Sequence, residues 1–312
     1  MIHTQNLTKK YGRFHAVQNF NLTVRQGTVF GLVGENGAGK TTTLSMLATL
    51  TSPTSGTAYI NGYEVTRQAK GVRQSLGYMP DAFGVYDDIT VEEYLEFYAD
   101  CYKVDRNVAR RRASDYLEWV NLQEKRHTYV NALSRGMQQR LEIARCLMHD
   151  PSVLILDEPS SGLDPRSRLE FRTVMHRLRA LGKTVLISSH ILSELGEFVD
   201  EIGIMRGGEL AAVASVSVMM THSTAYRQLR VCGRALRTTW EEALRQYPQV
   251  IDVTYIPQGV DVVYAGTLDQ QVEFVRGLVE AGIGVYQVAE RPTNIEELFL
   301  RLTERAVDAS GQ

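Results

Sequence analysis

The apolar run TVFGLV leads directly into GENGAGKTT, from Gly34 to Thr42, and then into the helix-like text TTLSMLATL. A buried strand, a glycine-rich turn and a helix start in that order match G-x-x-x-x-G-K-[ST], the pattern of a phosphate-binding loop. Gly34, Gly37 and Gly39 let the backbone curl without a clashing Cβ, so successive N–H groups, those of Asn36 and Ala38 among them, face inward as an anion nest. The helix carrying Thr41 and Thr42 adds unpaired N–H groups and a positive dipole end. Lys40 is placed to reach terminal phosphates, and the Thr41 hydroxyl to ligate Mg²⁺. The run is read as a nucleoside triphosphate site; the competing reading is an ordinary Gly-rich turn before a helix.

With 312 residues there is room for two domains. Lys and Arg number 34 against 36 Asp and Glu, which supplies no basic stripe for nucleic acid, so no nucleic-acid partner is expected. MIHTQNLTKKYG lacks both the apolar segment of a signal peptide and the Arg-rich helix of a transit sequence, and a cytoplasmic chain is expected. Cys101, Cys146 and Cys232 are too scattered for a disulfide framework or a zinc site and are expected to be buried free thiols. The longest apolar stretch, LAAVASVSVMM from Leu210, falls well short of the about 20 residues that span a bilayer.

Up to Ser217 the chain alternates buried-strand runs with helical ones, which predicts an α/β domain over 1–217 with a parallel core. VFGLV, VLILD, TVLISS and EIGIM are the strand candidates, rich in β-branched residues suited to burial on both faces. Over about 88–148 the text turns to amphipathic helices such as VEEYLEFYADCY and QQRLEIARCLM, predicting an inserted helical subdomain. From 224 to 312 the order strand, helix, strand, strand, helix, strand predicts a small α+β domain of ferredoxin-like βαββαβ type, followed by a last helix in NIEELFLRLTERAV.

VLILDEP ends in Asp157 and Glu158 after four apolar residues. A strand end carrying an Asp is the second half of a phosphate-loop site, where the carboxylate holds Mg²⁺ against the phosphates. Glu158 is positioned to polarise an attacking water. The plainer alternative is a strand that ends in an acidic turn.

Three more motifs complete a set: LSRGMQQR from Leu133 to Arg140, SGLD from Ser161 to Asp164, and ISSH ending at His190. With Tyr11, GENGAGKT and VLILDEP, in this order, they make the chain resemble the ATPase subunit of ABC transporters. The resemblance implies a P-loop NTPase core of ABC type that binds ATP with Mg²⁺. It implies an adenine-stacking role for Tyr11, which otherwise merely packs, and phosphate contacts from Gly34 to Thr42. It further implies Asp157 as magnesium-holding acid, Glu158 as catalytic base and His190 as a switch touching the γ-phosphate. Ser134 and Gly136 belong to the signature sequence, which in this family faces the nucleotide of the opposite subunit; a hydroxyl and an N–H at a helix start suit a second phosphate cradle. The site implied is composite, two ATPs lying between head-to-tail copies in a homodimer or pseudo-symmetric ATPase dimer, with Asp164 and its loop linking them. An isolated monomer should hydrolyse weakly.

Two residues depart from the family pattern. GYMPD places Asp81 where Gln is usual, and a carboxylate cannot donate a hydrogen bond when ionised. Either Asp81 reaches Mg²⁺ through a water, or it only shapes the loop that touches the permease. LSRGM replaces the commoner LSGGQ, so Arg135 either adds a cation to the composite site or lies on a solvated face.

The expected function is that of an ATP-hydrolysing subunit that works a separate transmembrane permease and sits peripherally on the inner face of the membrane. The resemblance puts a coupling helix of the permease in a groove near Phe83, Tyr86 and Tyr94; the alternative for at least one of the three is packing in the core. GYMPDAFGVYDDITVEEYL, LSRGM and the tail IEELFLRLTE look like the subclass serving export-type permeases. The alternatives are a soluble ABC ATPase of translation or repair, which a single phosphate loop without a long coiled-coil insertion disfavours, and a non-hydrolysing nucleotide sensor, which Glu158 disfavours. The cargo is not legible.

Overall fold

The computed structural model describes residues 1–81, 84, 88–216 and 227–291. Phe83, Tyr86 and the expected last helix lie outside the described residues, as does the segment 217–226. The chain divides into two compact units, Met1–Ser215 and Val216–Gln312.

The first unit contains two sheets. In one, β1 (Ile2–Tyr11) pairs antiparallel with β2 (Phe14–Phe20), β3 (Thr23–Val24) and β5 (Ser55–Ile60), and β6 (Tyr63–Glu64) extends it beyond β5. Ile2, Leu7, Phe20 and Ile60 seal its inner face completely. This sheet stands apart from the parallel pattern that the apolar runs predict. Its strands are half exposed and polar on alternate positions, as antiparallel sheets with one wet face are.

The other sheet has the order β11 (Glu209–Ser215), β10 (Glu201–Arg206), β4 (Val29–Val33), β9 (Thr184–Ser189), β8 (Val153–Leu156), β7 (Leu76–Met79). All neighbours run parallel except β11, which returns antiparallel to β10. Every residue of β4, β8 and β9 is buried, so these strands read as unbroken apolar runs. The chain therefore leaves β4, β7, β8 and β9 at one common edge, the edge where parallel sheets bind ligands.

Helices α1 (Lys40–Leu47) and α2 (Ala69–Ser75) precede the helical insertion of α3 (Val91–Cys101), α4 (Arg106–Trp119) and α5 (Arg135–Leu147); α6 (Pro165–Ala180) and the short α7 (Leu192–Leu195) follow. The starts are capped as their sequences dictate: Thr90 and Glu93 form a capping box on α3, Asp105 caps α4, Ser134 caps α5, and Asp164 followed by Pro165 opens α6. Tyr94 is buried, 1% exposed, and so is the aromatic of the three expected near a groove that packs in the core. The amphipathic face of α3 turns it inward, and its hydroxyl donates to Glu142. Arg145 donates from Nε and Nη2 to the other Glu142 oxygen at 2.9 and 2.7 Å, and from Nη2 to the Tyr78 carbonyl at 2.6 Å. The pair thus ties α5 to β7. Tyr94 also lines a cavity of about 370 Å³ with Leu50, Tyr78, Tyr98 and Arg145.

The second unit runs β12 (Arg227–Arg234), α8 (Arg237–Leu244), β13 (Val250–Ile256), β14 (Gly259–Tyr264), α9 (Leu268–Glu280), β15 (Gly284–Arg291). Its sheet is antiparallel with the order β13-β14-β12-β15. Leu229, Val231, Val260, Val262 and Tyr264 pack on Trp240, Leu244, Phe274 and Leu278, so this unit has its own core. Asp261, on the alternate positions of β14, is held between Arg230 at 2.7 Å and Arg291 at 2.9 Å. Arg230 draws its carboxyl below the usual range.

Cys101 is exposed, contrary to the expectation of three buried thiols, because it ends α3 on the surface. Cys146 and Cys232 are buried, and burial pushes the Cys146 thiol up to about 12. Among the described residues no helix is long and apolar enough to cross a membrane.

His149 stacks on Tyr102 with ring centroids 3.7 Å apart and planes 4° apart, and its Nε2 lies 3.1 Å from the Leu76 carbonyl. Burial lowers its pKa to about 4. The unfolded chain then takes up this proton near pH 6.5 and the folded chain only near 4, so stability is full above 6.5 and falls as the pH drops between those values. The slope is about 1.4 kcal/mol per pH unit. His149→Phe, which keeps a ring against Tyr102, should flatten that part of the profile in urea unfolding measured from pH 7 to 4.5. Parallel profiles for the two proteins would exclude His149 as the titrating group.

Candidate functional site

The loop between β4 and α1 is shaped by two close approaches. A Cβ on Gly34 would lie 2.4 Å from the Met205 carbonyl oxygen, and one on Gly39 2.4 Å from that of Ala16, with φ +106° at Gly39 as well. Only glycine fits either place. Gly37, with φ +84°, completes the curl. Asn36 and Thr41 are exposed, Thr42 half-buried and Ala38 buried, and the Ala38 carbonyl accepts from Gly208 N–H at 3.0 Å. Thr43 closes the first turn by bonding back to the Gly39 carbonyl.

Lys40 is 5% exposed, so its charge needs partners. Nζ donates to the Gly34 carbonyl at 2.6 Å and lies 3.2 Å from Glu158 Oε1. His190 Nδ1 lies 2.8 Å from Glu158 Oε2. Because a carboxylate accepts, His190 carries its proton on Nδ1 toward Glu158. Lys40 at the start of α1, Glu158 just past β8 and His190 just past β9 thus meet on one carboxylate. Glu158 itself adopts φ +49°, a strained conformation for a non-glycine residue.

Asp157 is fully buried. Ser188 Oγ donates to its Oδ1 at 2.6 Å and also accepts from Glu158 N–H at 2.9 Å. Asp157 Oδ2 is buried without a hydrogen-bond partner. Burial raises the Asp157 pKa above the ordinary range, the Ser188 and Thr41 hydroxyls oppose that shift, and the charges of Asp81 and Glu158 add to it. Asp81 is exposed at the bend after β7, so the structure brings it into electrostatic reach of Asp157. A hard cation beside Asp157 Oδ2 and the Thr41 hydroxyl would satisfy the orphaned oxygen and offset the crowded negative charge. No cluster of three His, Cys, Asp or Glu occurs among the described residues.

Tyr11 is 52% exposed at the tip of the β1–β2 hairpin, with Lys9 Nζ 5.1 Å from its ring centroid. Its ring is not consumed by core packing. Ser134, Gly136 and Asp164 form a separate group. Ser134 caps α5, while Gly136 is buried against Ser167. Asp164 accepts from Ser167 Oγ at 2.6 Å and from two N–H groups of α6, the Ser167 hydroxyl contributing most to a lowered carboxyl pKa. Among the described residues no hydrogen bond or ion pair joins this group to Lys40, Glu158 or His190.

Ser188 is the site residue that the sequence hides. The motif ISSH contains it, but a hydroxyl in an apolar strand advertises nothing until its two acidic neighbours are in place. Ser188→Ala should lower hydrolysis roughly ten- to hundredfold, as loss of an outer-shell partner does, with nucleotide binding at the loop unchanged. Steady-state kinetics beside a nucleotide titration measure this; unchanged turnover would show that Ser188 does not hold the two acids in working order.

The ABC transporter family pattern matches residues 17–161. The chain is 35% identical over 303 residues to the bacitracin transport ATP-binding protein BcrA of Bacillus licheniformis, with 97% of each chain covered. It is 30% identical over 309 residues to the linearmycin resistance ATP-binding protein LnrL of Bacillus subtilis, covering 98% of this chain and 99% of the relative. To the Nod factor export ATP-binding protein I of Ralstonia nicotianae it is 33% identical over 311 residues, covering 98% and 94%. Among solved structures it is similar to a dimeric ATP-binding cassette in a post-hydrolysis state bound to ADP and Pi, with a TM-score of 0.64, 26% identity and coverage of 69% of this chain and 99% of that one. By sequence over nearly its whole length, and by the fold of its cassette, the chain belongs to the ATP-binding proteins of ABC transporters and is an ABC-type ATPase.

Proposed function

We propose that this chain drives an export-type permease by closing two copies, head to tail, around two ATP molecules and reopening them after hydrolysis. The observation that carries the reading is the meeting of Lys40, Glu158 and His190 beside the orphaned Asp157 oxygen. The N–H groups from Gly34 to Thr42 and the Lys40 ammonium bind the β- and γ-phosphates, and the Tyr11 ring stacks on the base. Asp157 and Thr41 hold Mg²⁺, which supplies charge neutralisation on the phosphates when bound. Glu158, fixed by His190, orients the attacking water and takes up its proton. Asp81, whose charge reaches Asp157, either shares the cation through a water or shapes the loop that touches the permease.

The isolation of Ser134, Gly136 and Asp164 from Lys40 within one chain supports a composite site, in which Ser134 and the Gly136 N–H complete the phosphate cradle of a second copy and the Asp164 loop links the two. Relatives named for bacitracin transport, linearmycin resistance and Nod factor export support export through a separate permease. The protein would then sit peripherally on the inner membrane face. The strand order of the second unit supports reading 224–312 as a ferredoxin-like accessory domain that stabilises or regulates the ATPase dimer.

Glu158→Gln should keep ATP binding, trap an ATP-bound dimer and abolish hydrolysis, read by size-exclusion chromatography with ATP and by phosphate release. Normal turnover in that variant would remove Glu158 from the chemistry. Deleting the residues beyond Ser223 should alter ATP-driven dimerisation or permease-stimulated turnover. Identical behaviour of the truncated and full-length chains in both assays would assign the accessory domain elsewhere.

A further inference from the structure

Arg135 stands where the family commonly has glycine, and the function described above gives it no task. It is exposed, yet among the described residues no carboxylate pairs with it. Its guanidinium lies against the backbone of Gly162 instead. A Cβ at Gly162 would sit 2.9 Å from Arg135 Nη1, 3.1 Å from Cζ and 3.5 Å from Nε. Gly162 has φ +71°, a conformation that favours glycine, and the bare backbone there leaves room for a slim planar group to lie against it. A guanidinium suits that place because it is flat and weakly hydrated on its faces, which a lysine ammonium is not.

The contact lies at the tip of a seam between α5 and the SGLD loop with α6. Deeper along it, a Cβ on Gly136 would meet Ser167 Oγ at 2.6 Å. Gln139 Nε2 donates to the Ser161 carbonyl at 3.3 Å, and Arg140 pairs with Glu170 at 2.9 Å. Those ties fix the base of the loop, and the tip, Gly162, is covered by Arg135. The Ser161 N–H in turn donates to the Glu158 carbonyl at 3.0 Å, so the loop is bonded to the residue that carries the chemistry.

We propose that Arg135 is a positioning residue that clamps the tip of the Ser161–Asp164 loop onto the signature turn of its own chain, so that the signature and the loop behind Glu158 move as one piece when the opposing nucleotide arrives. The coupling to turnover rests on the composite-site reading; the clamp itself is a property of one chain. The charge of Arg135 is secondary, and its planar face is what the loop requires.

The test compares the full-length protein with Arg135→Ala, Arg135→Lys and Arg135→Gln. Hydrogen exchange of the amides from Ser160 to Asp164, measured without nucleotide, should quicken roughly tenfold in the Ala and Lys proteins, the change expected from losing a contact worth about one hydrogen bond. Gln, whose amide is planar and uncharged, should restore part of the protection, and exchange from Gly34 to Thr42 should stay the same throughout. Unchanged exchange in Arg135→Ala, or protection restored by Lys and not by Gln, would overturn the clamp. In steady-state hydrolysis the Ala and Lys proteins should lose kcat with KM for ATP little changed. A raised KM at full kcat would mark Arg135 as a nucleotide contact and overturn the proposal, and faster exchange with kcat unchanged would overturn the coupling. Failure of the composite-site reading shows separately, as the absence of ATP-driven dimerisation in Glu158→Gln with Arg135 intact.

Discussion

Lys40 carries a positive charge into a place almost closed to water, and the arrangement of the first unit follows from satisfying it. Its ammonium is held by the Gly34 carbonyl and by Glu158, and a buried cation without such partners would be prohibitive. Those partners come from different strands. Glu158 can meet Lys40 only because β8 and β4 run parallel on either side of β9 and end at the same edge. The complete burial of these strands fixes that register, since a slip of one residue would move the turn residues as well as the apolar ones.

The same edge explains why the charges are tuned as they are. Asp157, Glu158 and Asp81 crowd negative charge around one buried oxygen that has no hydrogen-bond partner. Ser188 spends one hydroxyl on both acids, donating to Asp157 and accepting from the Glu158 N–H. The helical insertion reaches this edge through Arg145, which is bonded to Glu142 on α5 and to the Tyr78 carbonyl on β7 two residues before Pro80. A buried pair of this kind adds little net stability, but removing one partner strands the other, so it serves to hold α5 in a single position against β7.

Much of this was legible in the order of residues. GENGAGKTT and VLILDEP are local: strand, turn and helix start lie next to one another in the chain, so the candidate residues for phosphate and cation can be named without knowing the fold. The parallel strands were legible because both faces are buried. The antiparallel sheet of β1 and β2 was not, since strands with one wet face, such as IHTQNLTKKY, resemble polar loop text. Whether Tyr94 meets a groove or the core was left open in the sequence, because an aromatic on an amphipathic helix looks the same in either case; it is buried and also lines a cavity. Ser188 was missed because its partners are 31 and 30 residues away; Arg135 was singled out, but its contact with Gly162 was not, because that depends on how α5 packs against α6.

The proposed composite site requires one chain to hold halves of two sites: Lys40 with Glu158 and His190, and, apart from them, Ser134 with Gly136. Mixing two inactive chains tests it most directly, one carrying Lys40→Ala and the other Ser134→Arg. In the mixed dimer one interface pairs the intact Lys40 of the second chain with the intact Ser134 of the first, so ATP hydrolysis should reappear on mixing. Full turnover by the Ser134→Arg chain alone, or a mixture in which dimers form without any hydrolysis, would contradict a shared site.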